Sequence, residues 1–372
     1  MNSSFRGLVL LLFIGLIGFA STPAHAQIGD VGSILQAGKD DANALARAYL
    51  KPFGSGFGAS LNTGWTNTAQ PHKTLGFDIT VGSGLAIVPN ADKTFDVTEL
   101  GLQELVLDPQ NQDPISQTIN GSSEMGPTLA AFAEGPQGQQ QKILEFTMPE
   151  GSGFGYVPAP VFKAGIGIIK DTELMVRYTP EIQISDFGTF DLFGVGAKHG
   201  LNQWLPGGKL LPVNLSLMFG YTNMEVGSDF NITPDEVIQD PGNTENPYGA
   251  STWDGQRIAL KTDAWSINAL VGKSLPVISV YGGVGYEAST FSVTTPGNYP
   301  TVIPNEDYQT DPNNNEPFIV NAVEEPIDIS IDGDNGFRAL AGFRLRFTVF
   351  HISGSYTLSN YSSYNLGVGI SF

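Results

Sequence analysis

The chain has 372 residues, a formal charge of −19, 15% charged and 10% aromatic residues, 45 glycines and no cysteine. The acidity argues against nucleic acid as a partner, and the missing cysteine removes disulfides, thiol catalysis, zinc–thiolate centres and a lipoprotein anchor. Length alone allows two ordinary domains or one large barrel; abundant glycine and aromatics, with a mean hydropathy of −0.03, favour a barrel whose apolar and polar residues alternate.

Residues 1–26 have the layout of a cleaved signal peptide: Arg6, an apolar run from Leu8 to Ala20, and Ala24-His25-Ala26 as the cleavage site. That run is too short to span a bilayer, and no later stretch is long enough, so any membrane span must be built from strands. Residues 27–54 then predict an amphipathic helix. Asp30 or Ser33 caps it, and Leu35, Ala42, Leu45 and Tyr49 lie on one face, with Gln36, Asp40, Asn43 and Arg47 opposite. Pro52 and Gly54 are expected to end it, and it either plugs a barrel or lies at its periplasmic mouth.

From Phe57 the period falls to 2. Phe57, Ala59, Leu61, Thr63 and Trp65 alternate with small or polar residues and predict a first strand, followed after Gln70-Pro71-His72 by Leu75, Phe77, Ile79 and Val81 as the outer face of a second. Residues 89 to 160 read as one hairpin with a long, exposed, poorly ordered insertion. Phe162 to Lys170, a Lys170-Asp171 turn, a strand through Leu174, Val176 and Tyr178, and Phe187 to Lys198 come next. Val213 to Thr222 shows the cleanest alternation, Trp265 to Val271 and Val277 to Val293 flank a turn at Pro276, and Phe343 to Val349 leads to a closing pair of strands. Long polar loops are expected near 108–152, 227–256 and 294–335.

Short turns alternating with long loops define an all-β, antiparallel transmembrane barrel of about 12 to 14 strands behind an N-terminal amphipathic helix. A sheet in hydrocarbon must close, because every open edge leaves backbone groups unpaired. The last strand places Tyr364, Leu366, Val368, Ile370 and Phe372 on one face and ends on an aromatic, like the assembly signal read by the barrel-assembly machinery. It is expected to pair with Phe57 to Thr66.

Several stretches carry a family likeness: Gly194 to Thr222, Val280 to Thr290, the closing SYTLSNYSSYNLGVGISF, and YLKPFGSGFGASLNTGWTNTAQPHKTLGFD near the start. Together they resemble an uncharacterised outer-membrane barrel family common in the Bacteroidota, a resemblance that implies the fold and no chemistry. A more distant, architectural likeness to long-chain fatty-acid transporters, which combine an N-terminal hatch with a barrel, implies no shared residues.

By parity, Asp78, Lys163, Glu173, Arg177, Arg338, Arg344 and Arg346 point into the lumen, where charge must be hydrated or paired. They are expected either to line a pore or to pair with Asp40, Asp41 and Arg47 of the helix. His351 and Ser353 share a strand face, the arrangement in which an imidazole activates a hydroxyl, but the motif stops there and a strand-end histidine explains it. Asp328, Asp332, Asp334 and Asn335 contain part of a calcium loop with incomplete spacing. No catalytic residue, metal or cofactor is therefore assigned.

The expected protein sits in the outer membrane of a Gram-negative bacterium, in contact with lipid and lipopolysaccharide. Its leading function is passage of a small solute, a hydrophobic one among the candidates, through a helix-gated lumen. The alternatives are a non-conducting surface barrel whose acidic loops bind a partner or glycan, and an outer-membrane hydrolase resting on His351 and Ser353.

Overall fold

In a computed structural model, the described residues are 39–111, 113–134, 140–183, 188–229, 231–238, 244–305 and 316–372. The signal peptide and the expected helix start at 27–38 lie outside them. Helix α1 spans Lys39–Leu61. Ten strands follow: β1 Phe77–Ile87, β2 Tyr156–Ile168, β3 Thr172–Gln183, β4 Thr189–Gly200, β5 Asn214–Asp229, β6 Arg257–Ser274, β7 Ile278–Thr294, β8 Gly336–Phe347, β9 Phe350–Leu358 and β10 Ser363–Ser371.

Each strand pairs antiparallel with its neighbours in sequence, and β10 pairs with β1 to close the ring. An extra strand, Asp328–Asp332, extends the β7 edge beyond β8. The wall therefore has ten strands, not 12 to 14. A barrel of eight strands has an interior filled by side chains, whereas porins of 16–18 strands keep an aqueous channel. At ten, there is room for a segment of chain.

Closure runs through Phe372. Its N–H donates to the Phe77 carbonyl (2.9 Å), Phe77 N–H donates back (3.1 Å), and the two rings stack at 5.0 Å. Ile79 lies opposite Ile370 and Val81 opposite Val368. Tyr364, Leu366, Val368 and Phe372 are exposed on the outer face, as parity requires, with Ile370 half-buried. The outer wall carries further exposed Leu174, Val176, Leu217, Phe219, Ile267 and Val284, an apolar band that water would not tolerate over such an area. No described helix is long and apolar enough to cross a membrane, which says nothing of the strands.

Tight links join β2 to β3, β6 to β7 and β8 to β9 at one end. Lys170 and Asp171 adopt φ of 56° and 47°, the pair of left-handed residues that a two-residue hairpin turn needs. At the opposite end the connections from β1 to β2, β5 to β6 and β7 to β8 are long. Between β1 and β2 the described residues build an insertion with sheets of its own, contrary to the expected loose hairpin: Thr94–Asp96 pairs with Ile115–Gln117, and Leu105–Leu107, Thr128–Glu134 and Gln140–Thr147 make a three-stranded sheet. Buried Val97, Leu105, Leu129, Phe146 and Met148 give it a core. Lys142 bonds Asp108 and Glu145 and holds the Asp108 carboxyl below the usual carboxylate range. Asn298–Pro304 and Phe318–Glu324 form a second hairpin on this face, joined by Thr244–Glu245.

Candidate functional site

Helix α1 stands at the long-loop end, not at the mouth lined by short turns. Asp41 accepts the N–H groups of Gln103, Glu104 and Leu105 at 2.7–2.9 Å, tying the first helical turn to the insertion. Arg47 donates to the Ser330 carbonyl, and Asp40 is exposed. The expected pairing of these three residues with the lumen charges is therefore wrong. Asp41 and Arg47 bond backbone groups of residues 103–105 and of Ser330 instead.

The helix also runs through Pro52 and Gly54 to Leu61, so Phe57 to Leu61 is helical and the expected first strand does not exist. Pro52 removes one hydrogen bond, which would ordinarily break an isolated helix. Here packing on every side holds the two halves in line. Phe53 stacks on Phe57 (5.5 Å) and meets Phe291 edge-on (5.8 Å), while Leu61 is buried with Ala159, Leu192, Met224 and Ala264. Gly54, Gly56 and Gly58 approach Phe291, Val157 and Ser289 so closely that a Cβ would overlap them at 2.0–2.8 Å.

Below Leu61 the chain stops being helical and descends the lumen to His72, and there the wall changes character. The Arg177 guanidinium donates to the carbonyls of Leu61 (2.6 Å) and Thr63 and lies 4.0 Å above the Trp65 ring. Arg338 donates to Asn62 O (3.1 Å), Lys163 to Trp65 O (3.2 Å), Tyr281 to Thr66 O (3.0 Å), Lys198 to Thr68 O (3.1 Å) and Ser216 to Ala69 O (2.8 Å). An irregular segment that pairs with no strand leaves its carbonyls open, and a dry lumen must supply donors to them. Hydrogen bonds from charged donors are the stronger kind, about 1.5–3 kcal/mol each.

Carboxylates balance three of these cations. Lys163 is 3.6 Å from Asp78, Lys198 3.0 Å from Glu173, and Arg338 2.9 Å from Glu287. Asn67 links the network to the closing strands: its amide donates to Asp78 (3.3 Å), its oxygen accepts from Arg344 (3.2 Å), and Arg344 also donates to Ser371 (2.7 Å). Trp65 enters a slot made by Gly196 and Gly220, which face each other across β4 and β5; a Cβ on either would strike the indole at 2.6–2.8 Å.

Of the seven residues expected to face the lumen, six are buried there: Asp78, Lys163, Glu173, Arg177, Arg338 and Arg344. Arg346 has the right parity but is exposed, because it lies at the end of β8 beside the short-turn rim. Lys198, Glu287, Tyr281, Asn67 and Trp65 were missed. The first three sit at inward positions of alternating strands, so parity carried the signal; the last two lie on a segment misread as wall and turn.

His351 Nε2 faces Thr80 Oγ1 (3.2 Å) and Asn67 Nδ2 (3.4 Å), while Ser353 Oγ donates to the Gly367 carbonyl (3.4 Å). The imidazole therefore does not prime the serine. In the stretch that carries part of a calcium-loop pattern, Asp332 belongs to the extra strand and Asn335 accepts the Ser289 N–H at 2.7 Å. Both are used in holding loops to β7.

The chain belongs to DUF6588, a family of unknown function whose sequence model matches residues 1–372. No curated protein matches it. Among solved structures it is similar to the attachment invasion locus protein Ail of Yersinia pestis in complex with the heparin analogue sucrose octasulfate, at 10% identity over 80% of this chain and 99% of that one, with a TM-score of 0.26. The translocator domain of the autotransporter NalP from Neisseria meningitidis gives 10% identity, 81% and 89% coverage and a TM-score of 0.27. Pseudomonas putida OprB gives 8%, 82% and 94%, with a TM-score of 0.16. At such scores these likenesses carry no functional argument, and the barrel rests on its own strand pairing.

Proposed function

We propose that the protein is an outer-membrane barrel closed along its axis by its own N-terminal chain, and that it acts through binding at the long-loop face. The apolar outer band, the aromatic closing strand and the signal-peptide pattern support the location. The observation that carries the closure is the run of seven carbonyls between Leu61 and Ala69 held by side chains of the wall. Opening a path for a solute, as the leading sequence reading required, would break most of these bonds together.

The long-loop face carries the insertion and a second hairpin, and the sequence has no lysine or arginine from Ser274 to Phe337. That charge selects a cationic partner, or an anionic glycan bridged by divalent ions. Recording from the refolded full-length chain in a planar bilayer tests the closure. The closed reading gives no unitary current; steps whose size changes on replacing Arg344 would restore the channel. Surface binding that is lost when residues 298–324 are replaced by a short turn, with the barrel still heat-modifiable on gels, tests the second half.

A further inference from the structure

Three polar atoms near the short-turn end of the lumen lack the partners that burial demands. His72 Nδ1, Asp78 Oδ1 and Glu173 Oε1 are buried and have no hydrogen-bond partner among the described residues. Both carboxyl-bearing residues are 0% exposed. One donor atom from each of the three residues lies within 4.8 Å of the others.

The second oxygens are occupied. Asp78 Oδ2 accepts from Thr80 Oγ1 (2.7 Å) and Asn67 Nδ2 (3.3 Å), and Glu173 Oε2 accepts from His72 N–H and Lys198 Nζ, both at 3.0 Å. His72 Nδ1 comes within 3.0 Å of Glu173 Oε2 without the alignment of a hydrogen bond. The open oxygens converge on one spot. A Cβ on Gly165 would lie 2.8 Å from Asp78 Oδ1 and 3.1 Å from Glu173 Oε1. Gly165 is opposite Asp78, and Gly167 is opposite Glu173, so two glycines keep this part of the β2 inner face free of side chains.

A buried acceptor left unmet costs about 1–3 kcal/mol, and two facing carboxylate oxygens add repulsion. Something with positive character belongs between them. We infer that His72, Asp78 and Glu173 form a binding site for a divalent transition metal, with zinc the best match. One imidazole nitrogen and two carboxylate oxygens suit zinc and its neighbours, whereas calcium and magnesium take oxygen alone. The site shares Asp78 and Glu173 with the ionic lattice of the lumen, but the proposed closure of the barrel requires no ion there.

The surrounding cations shape the test. Lys163, 3.6 Å from Asp78, and Lys198 already balance the two carboxylates, and Arg344 reaches the adjacent Asn67. A bound ion adds positive charge here, so its affinity is set against these neighbours. Zinc uptake by the refolded full-length chain, measured by competition with a chromophoric chelator, is expected to give one ion per barrel. Glu173→Gln is expected to weaken it by about 100-fold, and Lys163→Met to strengthen it. Heat-modifiable gel mobility confirms that each variant is folded. A folded parent that takes up no zinc would overturn the site and leave a water molecule as the occupant. So would a Glu173→Gln variant that binds as the parent does. Binding by folded Lys163→Met that is no tighter than the parent's would also count against it, because removing a cation beside a bound ion must raise the ion's affinity.

Discussion

Up to residue 61 the inserted chain is helical and the wall it meets is largely apolar, with Phe291, Val293, Leu192 and Met224 around it; beyond residue 61 it is irregular and the wall presents Arg177, Lys163, Lys198 and Arg338. The difference follows from the backbone. A helix satisfies most of its own N–H and C=O groups, so hydrophobic contact is enough to hold it. An irregular segment without a neighbouring strand leaves most of its carbonyls unpaired, so its enclosure must bring donors, and much of the charge those donors bring is met by carboxylates. The same barrel thus fills one half of its lumen as a protein core and the other half as an ionic lattice.

Breaking the lattice is expected to have the largest effect. Arg177→Ala removes bonds to two carbonyls and the cation over Trp65, and should lower stability by about 3–5 kcal/mol, within the range for disrupting a buried charged site. The urea midpoint of the heat-modifiable form measures it. Arg177→Lys should recover only part, because an ammonium cannot fork between Leu61 and Thr63. A loss below about 1 kcal/mol, the size of a surface contact, would mean that the lower half is hydrated and loosely held.

A smaller effect sharpens the fit of the two halves. Gly220→Ala pushes a methyl group into the Trp65 indole and should cost about 1–3 kcal/mol. In the background of Trp65→Ala, where the slot is already empty, the same change should cost much less. Equal costs in both backgrounds would show that the glycine pair serves the strand rather than the tryptophan.

The smallest effect lies outside the barrel. Lys142 holds the Asp108 carboxyl low, so its contribution to the insertion is present above the ordinary aspartate range, near 3.9, and is lost as pH falls through the folded value. Proteolysis within the insertion should therefore rise on acidification below about pH 4. Lys142→Ala should remove most of that pH dependence while leaving the barrel band unchanged.

The comparison also explains what could be read in advance. Alternation exposed the wall because lipid-facing and lumen-facing positions differ in chemistry, and six of the charges it turned inward are buried. It failed on Phe57 to Thr66 for two separate reasons. Gly58 and Ser60 are small because the helix is enclosed on every side, and this mimics a polar strand face. Asn62 to Thr66 turns and bends, with Gly64 at a φ of 71°, and its carbonyls go to side chains of the wall, which no periodicity records. One of the surplus strands in the count came from this stretch and others from the insertion, whose short strands belong to separate sheets. The helix position was open because residues 27–54 do not reveal which end of the barrel holds their partners; Asp41 finds them at Gln103, Glu104 and Leu105.

A threaded lumen puts the two ends of the inserted chain on opposite sides of the barrel: Asp40 with the long loops and Lys73 beside the short turns, both exposed. The absence of native cysteine makes this directly measurable. Asp40→Cys and Lys73→Cys, each expressed in intact cells, should differ when treated with a membrane-impermeant maleimide. The expected result is labelling of Asp40→Cys in intact cells and of Lys73→Cys only after the outer membrane is permeabilised. Labelling of Lys73→Cys in intact cells, with Asp40→Cys protected, would contradict the threading of residues 62–72 from the long-loop face to the short-turn face.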